Sequence, residues 1–266
     1  MRMLIELAGV PVEVRCAYAE NEAFFRDYAV SKPQGADLSQ GANLSPCFTI
    51  APTAVDLARM QADFDRTAAV EGTTKRTHAP AFLENNAIHA LLAEQLIHYD
   101  VLLMHGSALC MDGQGYIFTA KSGTGKSTHA RLWREAFGER VWMINDDKPM
   151  LKITEAGVTV HGTPWNGKHH LSRNAAAPLK AIIALSRDDT NHIEPMSRAD
   201  AFPVLMKQCF GSRDPATMAR IIELERRLLN AVDFYRLGCN MSQEAAFVAW
   251  GGLSGIPKSD KGRRDE

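Results

Sequence analysis

The sequence predicts an α/β fold: a mixed β-sheet carrying a phosphate-binding loop, preceded by a small α+β N-terminal region. Three observations predict it. The run Tyr116-Ile117-Phe118-Thr119 is apolar, aromatic and β-branched. It leads into the glycine-bearing segment Ala120 to Thr128, and His129 to Phe137 then place apolar residues at helical spacing, so strand, loop and helix follow in order. Asp112-Gly113 separates that strand from the apolar run Ser107-Ala108-Leu109-Cys110-Met111, a strong hairpin signal. The loop's strand therefore has an antiparallel neighbour, unlike the strands of a purely doubly wound sheet. Residues 1–100 lack these dense signals and form the separate N-terminal region.

In chain order, Leu4-Ile5-Glu6-Leu7 and Val12-Glu13-Val14-Arg15 suggest a hairpin, with Pro11 at the edge of its second strand, and Phe48-Thr49-Ile50 suggests another short strand. Ser31 to Ser45, rich in Gly, Ser, Asn and Pro, is a loop or a poorly ordered insertion. Asn86 to Tyr99 carries a helical apolar stripe that packs against the core beginning at Val101. His89 and His98 lie in that helix and take no catalytic role. After the loop helix, Val141-Trp142-Met143-Ile144 is a strand. Met150 to Thr154 and Val158 to His161 form a hairpin around Glu155-Ala156-Gly157, and Lys180 to Ser186 is a further strand. The remainder is mainly helical: Arg198 to Cys209, with Pro203 delaying the start, Asp214 to Asn230 with Pro215 near its start, and Ser242 to Trp250 behind a serine cap. The catalytic domain is thus placed at residues 101–256, and residues 257–266 form a charged, frayed tail.

Composition narrows the function. Lys and Arg total 30 against 31 Asp and Glu, a net charge of −1, which gives no reason to expect a nucleic-acid or anionic-membrane partner. Hydrophobic residues at 45% suit a soluble globular core, no apolar run reaches the length of a membrane helix, and the first residues show neither a long apolar core nor a cleavage site. A cytoplasmic protein is expected. Its five cysteines, Cys16, Cys47, Cys110, Cys209 and Cys239, are odd in number and without C-x-x-C spacing, so buried thiols are expected rather than disulfides or a zinc site.

The chemistry begins at the loop. Gly123 and Gly125 let successive backbone N–H groups face phosphate oxygens, and the helix that starts near Lys126 adds the positive end of its dipole. Ser122, Gly123, Thr124, Gly125, Lys126, Ser127 and Thr128 are the nucleotide-binding candidates, Lys126 for the β- and γ-phosphates and Ser127 for Mg²⁺. The first glycine of the consensus is Ala120, the mildest replacement. A second signal, Asn145-Asp146-Asp147, closes the strand that follows the loop helix, where an acidic pair at the carboxyl end of a neighbouring strand can divide two tasks. One carboxylate holds the metal, and Asp147 with Ser127 is the assignment made here; the other accepts a proton from an attacking hydroxyl. Lys168, in the polar and aromatic loop Thr163 to His170, is placed to neutralise charge on a transferring group. His169 and His170 are adjacent, have no carboxylate at matching spacing, and are not taken as metal ligands.

His105-Gly106-Ser107, Ser122-Gly123-Thr124-Gly125-Lys126-Ser127 and Asn145-Asp146-Asp147 stand in an order and approximate spacing that resemble the catalytic domain of HPr kinase/phosphorylase, a relative by fold of ATP-dependent PEP carboxykinase. The resemblance covers about Val101 to Leu185. It implies a P-loop fold with a mixed sheet, ATP and Mg²⁺, and γ-phosphoryl transfer to a serine hydroxyl; Lys126, Asp146 and Asp147 match catalytic positions, and His105 matches a histidine near the active site. The chain departs from that family at Val158-Thr159-Val160-His161-Gly162, where a Glu and an Arg are missing, which disfavours a reverse phosphorylase reaction. The N-terminal region matches nothing in the family, so the acceptor is not expected to be HPr. The chain more closely resembles HPr-kinase-like proteins encoded with peptide-modification systems, some of which phosphorylate a serine of a precursor peptide.

The reading is therefore a Mg·ATP-dependent kinase acting on a peptide or small-protein serine. A small-molecule or carboxykinase-like phosphotransferase and a non-catalytic nucleotide sensor stand as alternatives. ATP and GTP are not distinguished, and a homo-oligomer is possible by the same resemblance.

Overall fold

The computed structural model describes residues 1–30 and 45–255. The expected loop at Ser31 to Ser45, apart from its last residue, and the expected charged tail lie outside the described residues.

The chain opens with β1 (Arg2–Leu7) and β2 (Val10–Arg15), an antiparallel hairpin turned by Ala8 and Gly9 at φ of 50° and 74°. Two successive positive φ values are the type I′ geometry that matches strand twist. The turn needs only those two residues, so Pro11 sits inside β2 opposite Glu6. After α1 (Ala19–Phe25), β3 (Phe48–Ile50) adds parallel to β2, which becomes the middle of three strands. Next comes α2 (Ala54–Glu71), whose Leu57, Met60, Phe64 and Ala68 recur at helical spacing and which the sequence reading did not place. It is started by a capping box in which Thr53 and Asp56 satisfy each other's backbone N–H groups, and it ends at Gly72 in the left-handed conformation. The next helix, α3 (Pro80–Leu96), starts six residues before the apolar stripe suggests, because Pro80 at its first position presets the helical φ; a 3₁₀ turn over Ile97–Tyr99 prolongs it.

The remaining elements are β4 (Val101–Leu103), β5 (Ser107–Met111), β6 (Gln114–Thr119), α4 (Lys126–Phe137), β7 (Val141–Asn145), β8 (Met150–Thr154), β9 (Gly157–His161), β10 (Ala176–Arg187), β11 (His192–Pro195), α5 (Arg198–Gln208), α6 (Pro215–Ala231), β12 (Asp233–Cys239) and α7 (Glu244–Gly255). They build a mixed sheet in the order β4-β8-β9-β10-β6-β5-β7, with β12 on β10 and β11 on β12. The long strand β10 is its spine. The first residues of β10 run antiparallel to β9, and after a bulge beyond Leu179 it runs parallel to both β6 and β12. The β5–β6 hairpin turns on Asp112 and Gly113 at φ of 49° and 79°, as expected.

Alternation along the strands divides the core. Ile117 and Ile182 face Leu205, Leu224 and Leu228 of α5 and α6. Phe118 and Ile183 face Trp133 of α4 and Ala246 and Ala249 of α7. The N-terminal sheet packs Ile5 and Val12, with Phe25 of α1, against Ile88 and Leu92 of α3. The same cluster takes in Val101, Leu103, Met150 and Trp165 from later in the chain.

Several expectations need correction. The segment after residue 187 contains two strands besides its helices. In β12, Phe234 packs on one face of the sheet and Tyr235 and Leu237 on the other, so its brief aromatic run is a strand buried on both sides. Pro203 does not delay α5: the Ser197 side chain caps the Asp200 N–H and starts the helix at Arg198, with Pro203 inside it. The last helix starts at Glu244 rather than Ser242. Cys47 is exposed, and all five cysteines are free. Among the described residues, no helix is long and apolar enough to cross a membrane.

His129 in α4 is buried, accepts a hydrogen bond from the Trp133 indole at 3.0 Å, and has a pKa pushed down by burial to about 4. Its folded pKa lies below the unfolded value, so its contribution is complete above about pH 6.5 and is lost as pH falls toward 4. Urea unfolding should show wild type losing about 2 kcal/mol more than His129→Gln between pH 7 and pH 4.5. Parallel losses in the two proteins would contradict a buried neutral imidazole.

Candidate active site

Strand direction creates the site. Because β5 is antiparallel to both β6 and β7, those two strands run the same way, together with β10 and β12, and their carboxyl ends share one edge of the sheet. The reversed strand β5 begins at that same edge. Its lead-in His105-Gly106-Ser107 therefore meets the glycine loop after β6 and the acidic turn after β7. The strand preceding the acidic pair is thus one removed from the loop's strand, with β5 between, and not its immediate neighbour as expected. Gly106 permits the crossing, since a Cβ there would stand 2.7 Å from Ile117 Cγ2. Backbone and hydroxyl contacts lock it: Gly106 N donates to the Asp147 carbonyl at 3.0 Å, Ser107 Oγ to the Asp146 carbonyl at 3.2 Å, and Thr119 Oγ1 to the His105 carbonyl at 2.9 Å.

The loop between β6 and α4 turns through Gly123 and Gly125, at φ of 79° and 128°. No side chain caps α4, and the first N–H groups of a helix have no intrahelical partner, so those of Lys126, Ser127 and Thr128 are available to an anion. The Lys126 side chain is buried, and its Nζ donates to the Ala120 carbonyl at 2.9 Å. Burial lowers its pKa, Lys148 adds to that, and the Asp147 carboxylate opposes it. The methyl of Ala120 packs in the core with Phe118 and Ala130, so the departure from the glycine consensus costs the loop nothing. Arg187, at the end of β10, donates to the Gly123 carbonyl at 2.6 Å and holds the loop from outside.

Asn145 organises the acidic turn. Its side chain is fully buried; Oδ1 accepts from Asp147 N at 2.8 Å and Lys148 N at 2.6 Å, while Nδ2 donates to the Thr163 and Trp165 carbonyls at 3.0 and 3.1 Å. This amide shapes the turn and ties it to the Thr163–His170 loop. Asp146 is buried: Oδ1 accepts from Gly167 N at 2.7 Å, and Oδ2 is buried without a hydrogen-bond partner among the described residues. Asp147 is half-buried, with Oδ1 3.3 Å from His105 Nε2 and Oδ2 3.8 Å from Lys148 Nζ. Burial alone would raise its pKa, but the His105 hydrogen bond and the charges of Lys148, His105 and Lys126 outweigh it and hold the carboxyl below its usual range.

These groups line one cavity of about 750 Å³. His105, Ser122, Gly123, Gly125, Lys126, Ser127, Thr128, Asp146, Asp147 and Lys168 all reach it. Thr124 does not; it faces a second cavity of about 710 Å³ on the other side of the loop, with Leu132, Arg187 and Asn240. His169 and His170 diverge, His169 lining the first cavity while His170 Nδ1 lies 3.0 Å from Asn166 Oδ1. Arg131 and Arg134 also line the first cavity, and the sequence reading missed them, although they recur on α4 at helical spacing from Ser127. Arg187 carried no motif signal, and Asn145 stood in the Asn145-Asp146-Asp147 signal without being given a role of its own. Among the described residues no three His, Cys, Asp or Glu side chains converge as a metal cage. Ser127 and Asp146 line the same cavity, and a hydroxyl with a carboxylate oxygen left unpaired is the kind of sparse oxygen donor set that suits a hard cation keeping its waters. Such an arrangement can bind a polyanion, hold a hard cation and accept a proton.

No protein-family model and no curated protein matches the chain. Among solved structures, the HPr(Ser) kinase/phosphatase from Coxiella burnetii aligns at 16% identity over 35% of this chain and 70% of that one, with a TM-score of 0.25. A likeness at that score carries no weight for function, which rests on the geometry above.

Replacing Asn145 by Ala removes the donor from two buried carbonyls and the acceptor from two backbone N–H groups. Urea unfolding should show a loss of about 2–4 kcal/mol. Asn166→Ala, in the same loop but outside this junction, should cost less than about 1 kcal/mol. Equal effects would contradict the organising role of Asn145.

Proposed function

We propose that this chain is a Mg²⁺- and ATP-dependent phosphotransferase that moves the γ-phosphoryl group to a hydroxyl, that of a serine in a peptide or small protein. The observation that carries this reading is the meeting of Lys126, Ser127, Asp146, Asp147 and His105 on one cavity, with uncapped helix N–H groups at its floor. Phosphoryl transfer asks mainly for positioning and charge stabilisation, and this set offers both.

In this reading the loop N–H groups and Lys126 take the β- and γ-phosphate charge, with Arg131, Arg134 and Lys168 as further cations around the cavity. The nucleoside extends past Thr124 into the second cavity. Ser127 and Asp146 would hold Mg²⁺, which when bound neutralises charge on the phosphate oxygens. That exchanges the two aspartates relative to the assignment from sequence. The unpaired buried oxygen of Asp146 favours it as ligand, and Asp147, oriented by His105 and kept ionised by its cationic neighbours, is free to accept the hydroxyl proton. A nucleotide sensor would need the loop but not an oriented carboxylate beside it.

The test is transfer of label from γ-labelled ATP to fractionated cytosolic peptides and proteins. Asp147→Asn should lower kcat by about 10²- to 10⁴-fold while ATP binding changes little. Lys126→Ala should weaken ATP binding about tenfold or more. Tight ATP binding with no transfer to any hydroxyl in wild type would overturn the phosphotransferase reading in favour of a sensor.

A further inference from the structure

Asp147 is a wall shared by two cavities. On one side lies the glycine-loop cavity; on the other, a cleft of about 510 Å³ opens between α1 and α3 of the N-terminal region and the Trp165 loop. This cleft is built rather than incidental. Trp165 Nε1 donates to Asn85 Oδ1 at 2.9 Å, Asn85 Nδ2 to Asn21 Oδ1 at 3.1 Å, and Asn21 Nδ2 to Glu84 Oε2 at 2.7 Å. Glu84 is buried and also accepts from Ala17 N at 2.6 Å. The chain of bonds fixes α1, α3 and the loop as one wall. Phe24 lies 5.8 Å from Trp165, ring centroid to centroid, and His89 packs 4.8 Å from the indole with its Nε2 lacking a hydrogen-bond partner among the described residues. Phe82, packed on one side against His78 and Phe64, is still 46% exposed at the rim.

Charge decides the occupant. No arginine lines the cleft, its one lysine, Lys148, is 3.8 Å from the Asp147 carboxylate, and Glu20 of α1 adds a second carboxylate. A carboxylated or phosphorylated acceptor would find no free cation there. The amides of Asn21 and Asn85 hold the wall together, and the aromatic faces beside them suit an apolar side chain.

We infer that this cleft is the acceptor site, and that it takes a non-acidic peptide segment whose apolar side chain lies against Phe24, Phe82 and Trp165 while the neighbouring serine presents its hydroxyl to Asp147. The inference rests on the phosphotransferase reading. The serine oxygen forms a bond to the γ-phosphorus, the bond from that phosphorus to the β,γ-bridging oxygen breaks, and the hydroxyl proton passes to Asp147, leaving phosphoserine and ADP. The N-terminal region thereby selects the substrate.

The test uses the full chain with Mg·ATP and a library of synthetic octapeptides holding one central serine between randomised positions, with free serine and glycerol as small hydroxyl probes. Label should enter peptides with an apolar residue beside the serine and no acidic residue, and free serine and glycerol should stay unlabelled. Phe82→Glu and Asn86→Arg, both on the cleft face of α3, should each raise the peptide KM about tenfold or more with ATP binding intact, which also reports that the variants fold. Peptide phosphorylation with an unchanged KM in both variants would overturn the cleft as acceptor site and leave the kinase standing. Label entering only the small probes would overturn the peptide assignment. ATP binding without label in any probe or in cytosolic fractions would sink the underlying reading instead.

Discussion

The fully buried side chain of Asn145 is the constraint on which the site depends. One amide joins the end of β7, the Asp146-Asp147-Lys148 turn and the loop through Thr163 and Trp165. An aspartate of the same shape would face two carbonyls with lone pairs instead of protons, and an apolar residue would take a hydrogen bond from four backbone groups, of which the Trp165 carbonyl keeps the Thr163 hydroxyl, at a penalty of about 1–3 kcal/mol for each group left buried and unpaired. Because the same amide reaches both walls, the carboxylates and the loop that carries Lys168 keep a fixed relation to each other. Asp146 is held further by the Gly167 N–H, which leaves a single oxygen of that carboxylate unsatisfied.

Topology does the rest. A purely parallel sheet would bring the loop and the acidic turn to one edge but would start every neighbouring strand at the far edge. The tight Asp112-Gly113 turn inserts β5 in reverse between β6 and β7, so that His105 arrives at Asp147 from a strand beginning. The helices α4 and α7 bury one sheet face and α5 and α6 the other, so the edge is set by an interior that does not move with the loops. Trp165 then couples this edge to the N-terminal region, packing in the core cluster of Phe25 and Ile88 while its indole N–H reaches Asn85.

Much of this was legible in the residues, for physical reasons that also explain the rest. Strand, glycine loop and helix around Lys126 are local, each specified by neighbours in sequence, as is the Asp-Gly hairpin; these stand where periodicity and turn chemistry place them. Asp146 and Asp147 end a strand and could be recognised by position alone. The helix α2 was legible and was missed: Leu57, Met60, Phe64 and Ala68 stand at helical spacing behind the Thr53 and Asp56 cap, a stripe that packs only partly buried. The strand β12 is specified by nonlocal pairing with β10, to which short runs between helices give little local signal. Arg187 acts through the Gly123 carbonyl, distant in sequence, so nothing in its own neighbourhood distinguishes it; Asn145 was visible as the first residue of Asn145-Asp146-Asp147, but its reach to Thr163 and Trp165 is nonlocal. Arg131 and Arg134 were legible as a helical face shared with Ser127.

The central claim is that the glycine loop and the acidic turn enclose one nucleotide between them. A crystal structure of the chain with Mg²⁺ and a non-hydrolysable ATP analogue tests it most directly. The account predicts the γ-phosphate in the cavity between Lys126 and Asp147, with the metal on Ser127 and Asp146 and the nucleoside beyond Thr124. A nucleotide bound elsewhere, or in that cavity with its phosphates turned away from Lys126, would contradict it.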